Sequence, residues 1–494
     1  MSKGLDGNSP PMPSPTRIFA ALALASVFPS ALALDVCTQI QQAVSSASGV
    51  YSLGARSANF AADLAHWVES STQSSACSVE PGTPADVSIV IQLLGKTKTP
   101  FAVKGGGHSG NPGFSSTTGV QISMTRFSTV NYDKTTGTVA IGSGLIWDEV
   151  YAALEPHGVI VAGGRVSGVG MAGFTLGGGY NWLANQVGLT VDTVTAYDLV
   201  RPNGSIVSVT AASDPDLFFA LKGGGNNFGI VTQFTLKAFP QGQVWGGVIF
   251  YAAAQLPAVT AAVARFASNV TDKKAAIIPG YTTQLGKPVV ANIMFYDGPS
   301  PPAGIFDEFL AIEHTTEDIS TRSFLSLVQS APANVTAGTR GSFHAVSLLN
   351  YTPKILAAIQ NETIFWNARL ASAGVTATYN VEPFFPNIYT HNTSPTAFPF
   401  TRTPPTIPLN LQFTWTSPSS DSIAHAAMRE SADYLTQVAV QTGQAVAQAP
   451  LYPNYALFGT PLERLYGSNL PRLRAIKARV DPHNIMGLAG GWRF

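Results

Sequence analysis

Hydrophobic and polar positions follow two different rhythms along this chain, and the change falls near residue 240. In the first half, short apolar runs sit between glycine and proline clusters. The stretch from 35 to about 80 reads as helical and polar, with Ile40 and Val44 on one spacing and Leu64 and Trp67 on another. The turn Pro81-Gly82-Thr83-Pro84 leads into an amphipathic helix over 85–94, with Asp86 near its start. Strands are expected at 99–103 and 119–123. Residues 130–133 and 138–142 form a hairpin pair joined by a turn at 134–137. A helix over 146–157 ends at Gly158, which suits a left-handed C-cap. This texture of alternating strands and helices runs to Pro240. From 245 to about 445 the loops are longer and richer in proline. Alternations such as Leu409-Asn410-Leu411-Gln412-Phe413-Thr414-Trp415 predict an α+β domain with an antiparallel sheet backed by helices. The organisation is therefore a leader at 1–33, a first domain at 34–240, a second at 241–445, and a segment at 446–494 that returns to the first.

Composition narrows the class. The chain has 494 residues, too many for one core, with 45% hydrophobic and 11% charged residues and a formal net charge of zero. With a formal net charge of zero and no basic tail, nucleic-acid binding is disfavoured. Arg17 precedes an apolar run from Ile18 to Phe28, and Ala31-Leu32-Ala33 offers a small-x-small cleavage site. That pattern predicts a cleaved secretion signal, with a short membrane anchor as the alternative. Asn-x-Ser/Thr sequons at Asn203, Asn269, Asn334, Asn350, Asn361 and Asn392 become candidate glycan sites on surface loops of a secreted protein. Two cysteines, Cys37 and Cys77, imply one disulfide in an oxidising compartment, against two buried thiols. No His/Cys cluster suggests a metal. A monomer is favoured.

The candidate chemistry lies in glycine. Lys104-Gly-Gly-Gly-His108-Ser109 follows a strand, and its backbone can approach a ligand with no Cβ in the way. Successive N–H groups there suit a pyrophosphate. A second field runs from Gly163 to Gly179, and a third is Gly223-Gly-Gly-Asn-Asn-Phe-Gly229. Three such stretches suggest one extended ligand such as FAD. Within the second, Gly168-Val-Gly170-Met-Ala-Gly173 matches a dinucleotide fingerprint, with Asp192 near the distance of a ribose-binding acid, so a nicotinamide site is an alternative. No P-loop, nucleophile elbow or H-E-x-x-H motif is complete.

The segment 103–109, the run 163–182, Asp192-Thr193-Val194, 223–232 and the tail together resemble the berberine-bridge-enzyme-like oxidases, flavoproteins of the vanillyl-alcohol oxidase superfamily. The resemblance implies a two-part FAD-binding domain and a substrate domain. It implies FAD held covalently through His108. Cofactor contacts are expected at Val103, Lys104, Gly105, Gly106, Gly107 and Ser109. More are expected at Val166, Ser167, Gly170, Gly173, Gly177 and Gly178, and at Gly229, Ile230 and Asn454. Many relatives add a cysteinyl tether, but Val166 stands at that position. Tyr452-Pro453-Asn454-Tyr455 resembles the family's Tyr-x-Asn-Tyr, with Leu457 where an Asp is usual. In relatives the first Tyr helps deprotonate the substrate, so Tyr452 is the candidate catalytic residue, against a buried aromatic with a satisfied hydroxyl. Asp481-Pro-His-Asn484 resembles a structural turn. The expected activity is oxidation of an alcohol-type or secondary-metabolite substrate by hydride transfer to the flavin, with O2 as acceptor. Oxidation of a carbohydrate, or a non-redox role on the same scaffold, are the alternatives. Trp366, Gln412 and Trp415 are candidate substrate-wall residues, with core packing the plainer reading.

Overall fold

The computed structural model describes residues 31–52, 57–331 and 338–494. The apolar leader and Asn334 lie outside the described residues. A helix, Ala31–Ala43, opens the described chain. The first sheet has four strands, β1 (Gly49–Ser52), β2 (Cys77–Glu80), β3 (Phe101–Lys104) and β4 (Val120–Ser123), in the order β1-β2-β4-β3. β2, β4 and β3 run parallel, and β1 pairs antiparallel with β2. The expectation of a wholly helical 35–80 is thus corrected, because β1 and β2 both lie in it. They are only four residues each, too short to show a period. Between β2 and β3 the helix Pro84–Thr97 is capped by Thr83, whose hydroxyl accepts from the Asp86 N–H. A disulfide joins Cys37 to Cys77, tying the first helix to β2.

The second sheet contains β5 (Val130–Asp133) and β6 (Thr138–Gly142), the predicted hairpin. A two-residue ribbon pairs β7 (Val159–Ile160) with β11 (Phe239–Pro240). The sheet is completed by β8 (Val194–Val200), β9 (Ile206–Val209) and β10 (Ile230–Lys237), in the order β5-β6-β10-β8-β9. Every pairing in it is antiparallel, so the strand-helix-strand reading of this half holds only for β2 to β4. The dinucleotide fingerprint at 168–173 consequently opens no parallel unit, and the nicotinamide alternative falls. Asp192 accepts from the Leu189 N–H and pairs with Arg402 at 2.7 Å, bracing the 390–406 segment.

The third sheet is the largest. β12 (Val244–Ala252), β13 (Ala275–Gln284), β14 (Lys287–Tyr296), β15 (Thr316–Arg322), β16 (Arg340–Leu348), β17 (Thr376–Val381) and β18 (Ile407–Trp415) follow the order β15-β12-β14-β13-β17-β18-β16. All its pairings are antiparallel. The helices Leu256–Asn269, Pro353–Arg369 and Asp421–Gln441 cover one face, burying Val259, Ile359, Trp366 and Met428. The other face looks toward the first two sheets. The tail helix Leu470–Val480 packs on the helix Pro215–Leu221, and Arg479 pairs with Asp214, so the tail does return to the first half. Among the described residues no helix is long and apolar enough to cross a membrane. Of the sequon asparagines, Asn203, Asn269, Asn350 and Asn361 are exposed and Asn392 is half-buried. Asn269 and Asn361 belong to helices rather than loops, since neither helix pattern excludes an outward Asn.

Candidate active site

A cavity of about 590 Å³ lies between the glycine loops and the open face of the third sheet. The loop after β3 and the second glycine field meet backbone to backbone. A Cβ on Gly106 would come within 2.4 Å of Gly170 Cα, and one on Gly170 within 2.5 Å of Gly106 N. Only glycine permits that approach. Gly107 and Gly229 hold φ of 69° and 139°, left-handed conformations that side chains resist. Val103, Gly105, Gly106, Gly107, His108 and Ser109 line the cavity. So do Val166, Gly170, Gly173 and Gly177, and Gly229, Ile230, Tyr452 and Asn454.

The other three predicted contacts point elsewhere. Lys104 turns back from the cleft, and its ammonium donates to the carbonyls of Ala62 (2.6 Å) and Asp63 (3.0 Å) at the end of the helix Ala58–Leu64. Burial pushes that amine down to about 8, offset in part by Asp63. Ser167 donates to Asp148 at 2.6 Å. Gly178 packs beneath Phe398 and Tyr452 instead of facing the cavity.

His108 is held by stacking. Its ring lies 4.5 Å from Trp67 at 10°, and Trp67 stacks in turn on Phe343 of β16 at 4.8 Å. Burial pushes the imidazole down to about 4, so it is neutral at physiological pH. Its Nε2 is buried with no hydrogen-bond partner. A neutral, oriented imidazole beside a glycine-lined cavity fits a histidyl-linked dinucleotide cofactor. The residues that would hold FAD are the backbone of 105–107, the 170–177 segment and 225–230. Their N–H groups supply the anion-binding dipoles.

The tail closes one end. Tyr452 Oη accepts from the Gly179 N–H at 3.0 Å and from Asn454 Nδ2 at 2.9 Å. Asn454 also donates to Phe174 O, and its amide occupies the space a Cβ on Gly177 would need. Burial nonetheless pushes the Tyr452 phenol up to about 12. Sequence reasoning passed over two neighbours. Arg165 and Glu382 pair at 2.7 Å on the cavity wall, and both are buried. Arg165 Nη2 donates to Tyr455 Oη at 2.8 Å, and Tyr455 Oη donates to Glu382 Oε1 at 2.9 Å. The pairing with Glu382 holds the guanidinium above its ordinary range despite burial. Arg165 sat in plain view beside Val166. Glu382, just after β17, had no motif to mark it. Of the proposed wall residues only Gln412 faces the cavity. Trp366 and Trp415 are core residues whose indoles donate to Glu362 and Asp421.

The chain matches the FAD binding domain family over residues 75–210 and the family described as berberine and berberine like over 452–488. It is 38% identical over 277 residues to the FAD-dependent monooxygenase drtC of Aspergillus calidoustus, covering 54% of this chain and 53% of that protein. The chain spans about half the length of the curated relatives it matches at this level. Its fold matches the berberine-bridge-enzyme-like 1 protein of Physcomitrella patens with a TM-score of 0.73 at 20% identity, covering 92% and 97% of the two chains. It also matches a chitooligosaccharide oxidase with a TM-score of 0.70 at 20% identity, covering 94% and 100%. The two glycine stretches at 105–107 and 163–179 thus lie within an FAD-binding-domain match, the tail that carries Tyr452 lies within a berberine-like match, and the fold that joins them is that of the berberine-bridge-enzyme-like protein.

Proposed function

We propose that the protein is a secreted oxidase that removes hydride from an alcohol-type small molecule, using FAD bound covalently through His108. The observation that carries this reading is the neutral His108 ring, fixed by Trp67 at the mouth of the glycine cradle. Bound there, FAD would accept the hydride and pass two electrons to O2, yielding hydrogen peroxide.

The residues of the chain handle the proton and the geometry. Tyr452 already accepts two hydrogen bonds, so its own proton is free to point at a substrate oxygen. Raised to about 12, the phenol is protonated at rest and takes a proton only after yielding its own. Two N–H donors and the Arg165 charge favour the phenolate that would result. Glu382, ion-paired on the same wall, is a second group able to take a proton. Relatives named as monooxygenases and a neighbour named as a chitooligosaccharide oxidase leave the substrate open. The apolar leader, the exposed sequons and the disulfide support secretion.

Acid precipitation of the purified protein is the test. Yellow colour is expected in the pellet, moving to the supernatant in His108→Ala. A colourless protein overturns the reading, and a flavin that washes out of the wild type overturns the tether. Peroxide release on a panel of alcohols then checks the oxidase step.

A further inference from the structure

The third sheet turns one face to the cavity, and the polarity of that face changes across the strands. On β12, β14 and β13 the lining includes Val248, Phe250, Ala291, Ile293 and Ile278. On β17 and β18 it is Thr378, Asn380, Asn410 and Gln412. The change falls where β13 meets β17, with Gly280 opposite Asn380 and Asn380 opposite Asn410. A Cβ on Gly280 would come within 2.9 Å of Asn380 Oδ1, so glycine leaves a niche beside the first amide. The one polar side chain on the β13 side, Thr282, is spent on Thr378 at 2.8 Å.

The amides are only partly satisfied. Asn380 Nδ2 donates to Asn410 Oδ1 at 3.0 Å, which leaves Asn410 Nδ2 buried with no acceptor. A buried donor in that state favours any ligand that brings an acceptor. Charge is absent in a useful form. Among the described lining residues the only charged side chains are Arg165 and Glu382, and they neutralise each other.

Resting on the oxidoreductase reading, we infer that the substrate is uncharged and two-ended. An apolar ring or chain lies over β12, β14 and β13. An uncharged oxygen acceptor, a carbonyl or ether, is taken by the amides of Asn380, Asn410 and Gln412. Asn410 is the specificity-determining residue. An oligosaccharide does not suit this wall, because its hydroxyls would lose water against the apolar half and gain no partner there.

The flavin-loaded protein is titrated with 6-methoxy-2-naphthylmethanol, 2-naphthylmethanol, the 6-carboxylate analogue and cellobiose, and the visible flavin spectrum reports binding whether or not turnover follows. The methoxy probe is expected to bind about 3- to 10-fold more tightly than the unsubstituted alcohol, as one hydrogen bond allows, and at least about 10-fold more tightly than the carboxylate or cellobiose. Asn410→Leu is expected to bring the two neutral naphthyl probes to the same affinity, and Gln412→Leu to narrow their difference at a less buried amide, should the first variant not fold. Cellobiose or the carboxylate binding as tightly as the methoxy probe overturns the inference. So does a methoxy preference that survives both variants, or a spectrum that responds to no probe. A protein purified without flavin would instead remove the oxidoreductase reading beneath it.

Discussion

The two walls of the cavity are built from different parts of the chain. One is backbone. Gly106 and Gly170 touch main chain to main chain, and Gly177 gives its space to Asn454. The other is side chains, projected from β12 to β18 at every second residue. The first can hold a cofactor common to many proteins, because a backbone presents the same N–H groups whatever surrounds it. The second can be re-lettered position by position without disturbing the sheet. The proposed cofactor and substrate sites thereby fall on walls that tolerate change very differently.

The largest expected effect tests the rigidity of the backbone wall. Gly106→Val should give no folded holoprotein, since its Cβ would fall 2.4 Å from Gly170 Cα. Gly173→Ala, whose Cβ meets nothing within 4 Å, should unfold thermally within a few degrees of wild type. Equal thermal stability for the two variants would break the distinction between glycines that pack and glycines that only line.

Where the walls meet, Tyr452→Phe should slow flavin reduction by about 10² to 10⁴ and leave reoxidation by O2 unchanged. Stopped-flow absorbance separates the two half-reactions. A loss confined to a few-fold would move the proton transfer to Glu382, which Glu382→Gln would then show.

Arg165→Met removes the cation that pairs with Glu382. The carboxylate is left buried without its partner, a change that costs about 3–5 kcal/mol. Adding Glu382→Gln should recover stability, and an Arg165→Met variant as stable as wild type in denaturant unfolding would show that the pair contributes little to the fold.

Behind the backbone wall, replacing Cys37 and Cys77 by alanine opens a loop with a sequence separation of 40. Denaturant unfolding should show a loss of roughly 3–4 kcal/mol. Behind the side-chain wall, burial holds His344 and His425 down to about 4. The unfolded chain binds their protons near pH 6.5. Their neutral forms therefore cost the fold nothing above that value, and stability falls as pH drops from about 6.5 toward 4. At pH 5 the loss should be about 1–2 kcal/mol per histidine. His425→Gln should flatten that slope.

How much could be read in advance follows the same division. The 105–107 loop and the 163–179 field were legible because glycine runs have few other uses. The hairpin at Val130–Asp133 and Thr138–Gly142, the helix after Thr83, and the alternation at 409–415 were legible from period and capping. Lys104 was misassigned because a motif gives the residue and not the direction of its side chain. Its four-carbon stem reaches the helix end at Ala62 instead. The strand-helix-strand texture expected up to Pro240 failed beyond β4 because strand direction depends on which strands pair, and β10 pairs antiparallel with β6 and β8 across long stretches of chain.

The sequence by itself determined the glycine wall, the histidine beside it, and the aromatic tail, since each is written in consecutive residues whose backbone requirements are local. Only the tertiary structure decided what faces that wall. Arg165 and Glu382 are 217 positions apart, and Asn380 and Asn410 are 30 apart, yet each pair meets within hydrogen-bonding distance. Such meetings depend on sheet order and register, which a single strand's pattern does not encode.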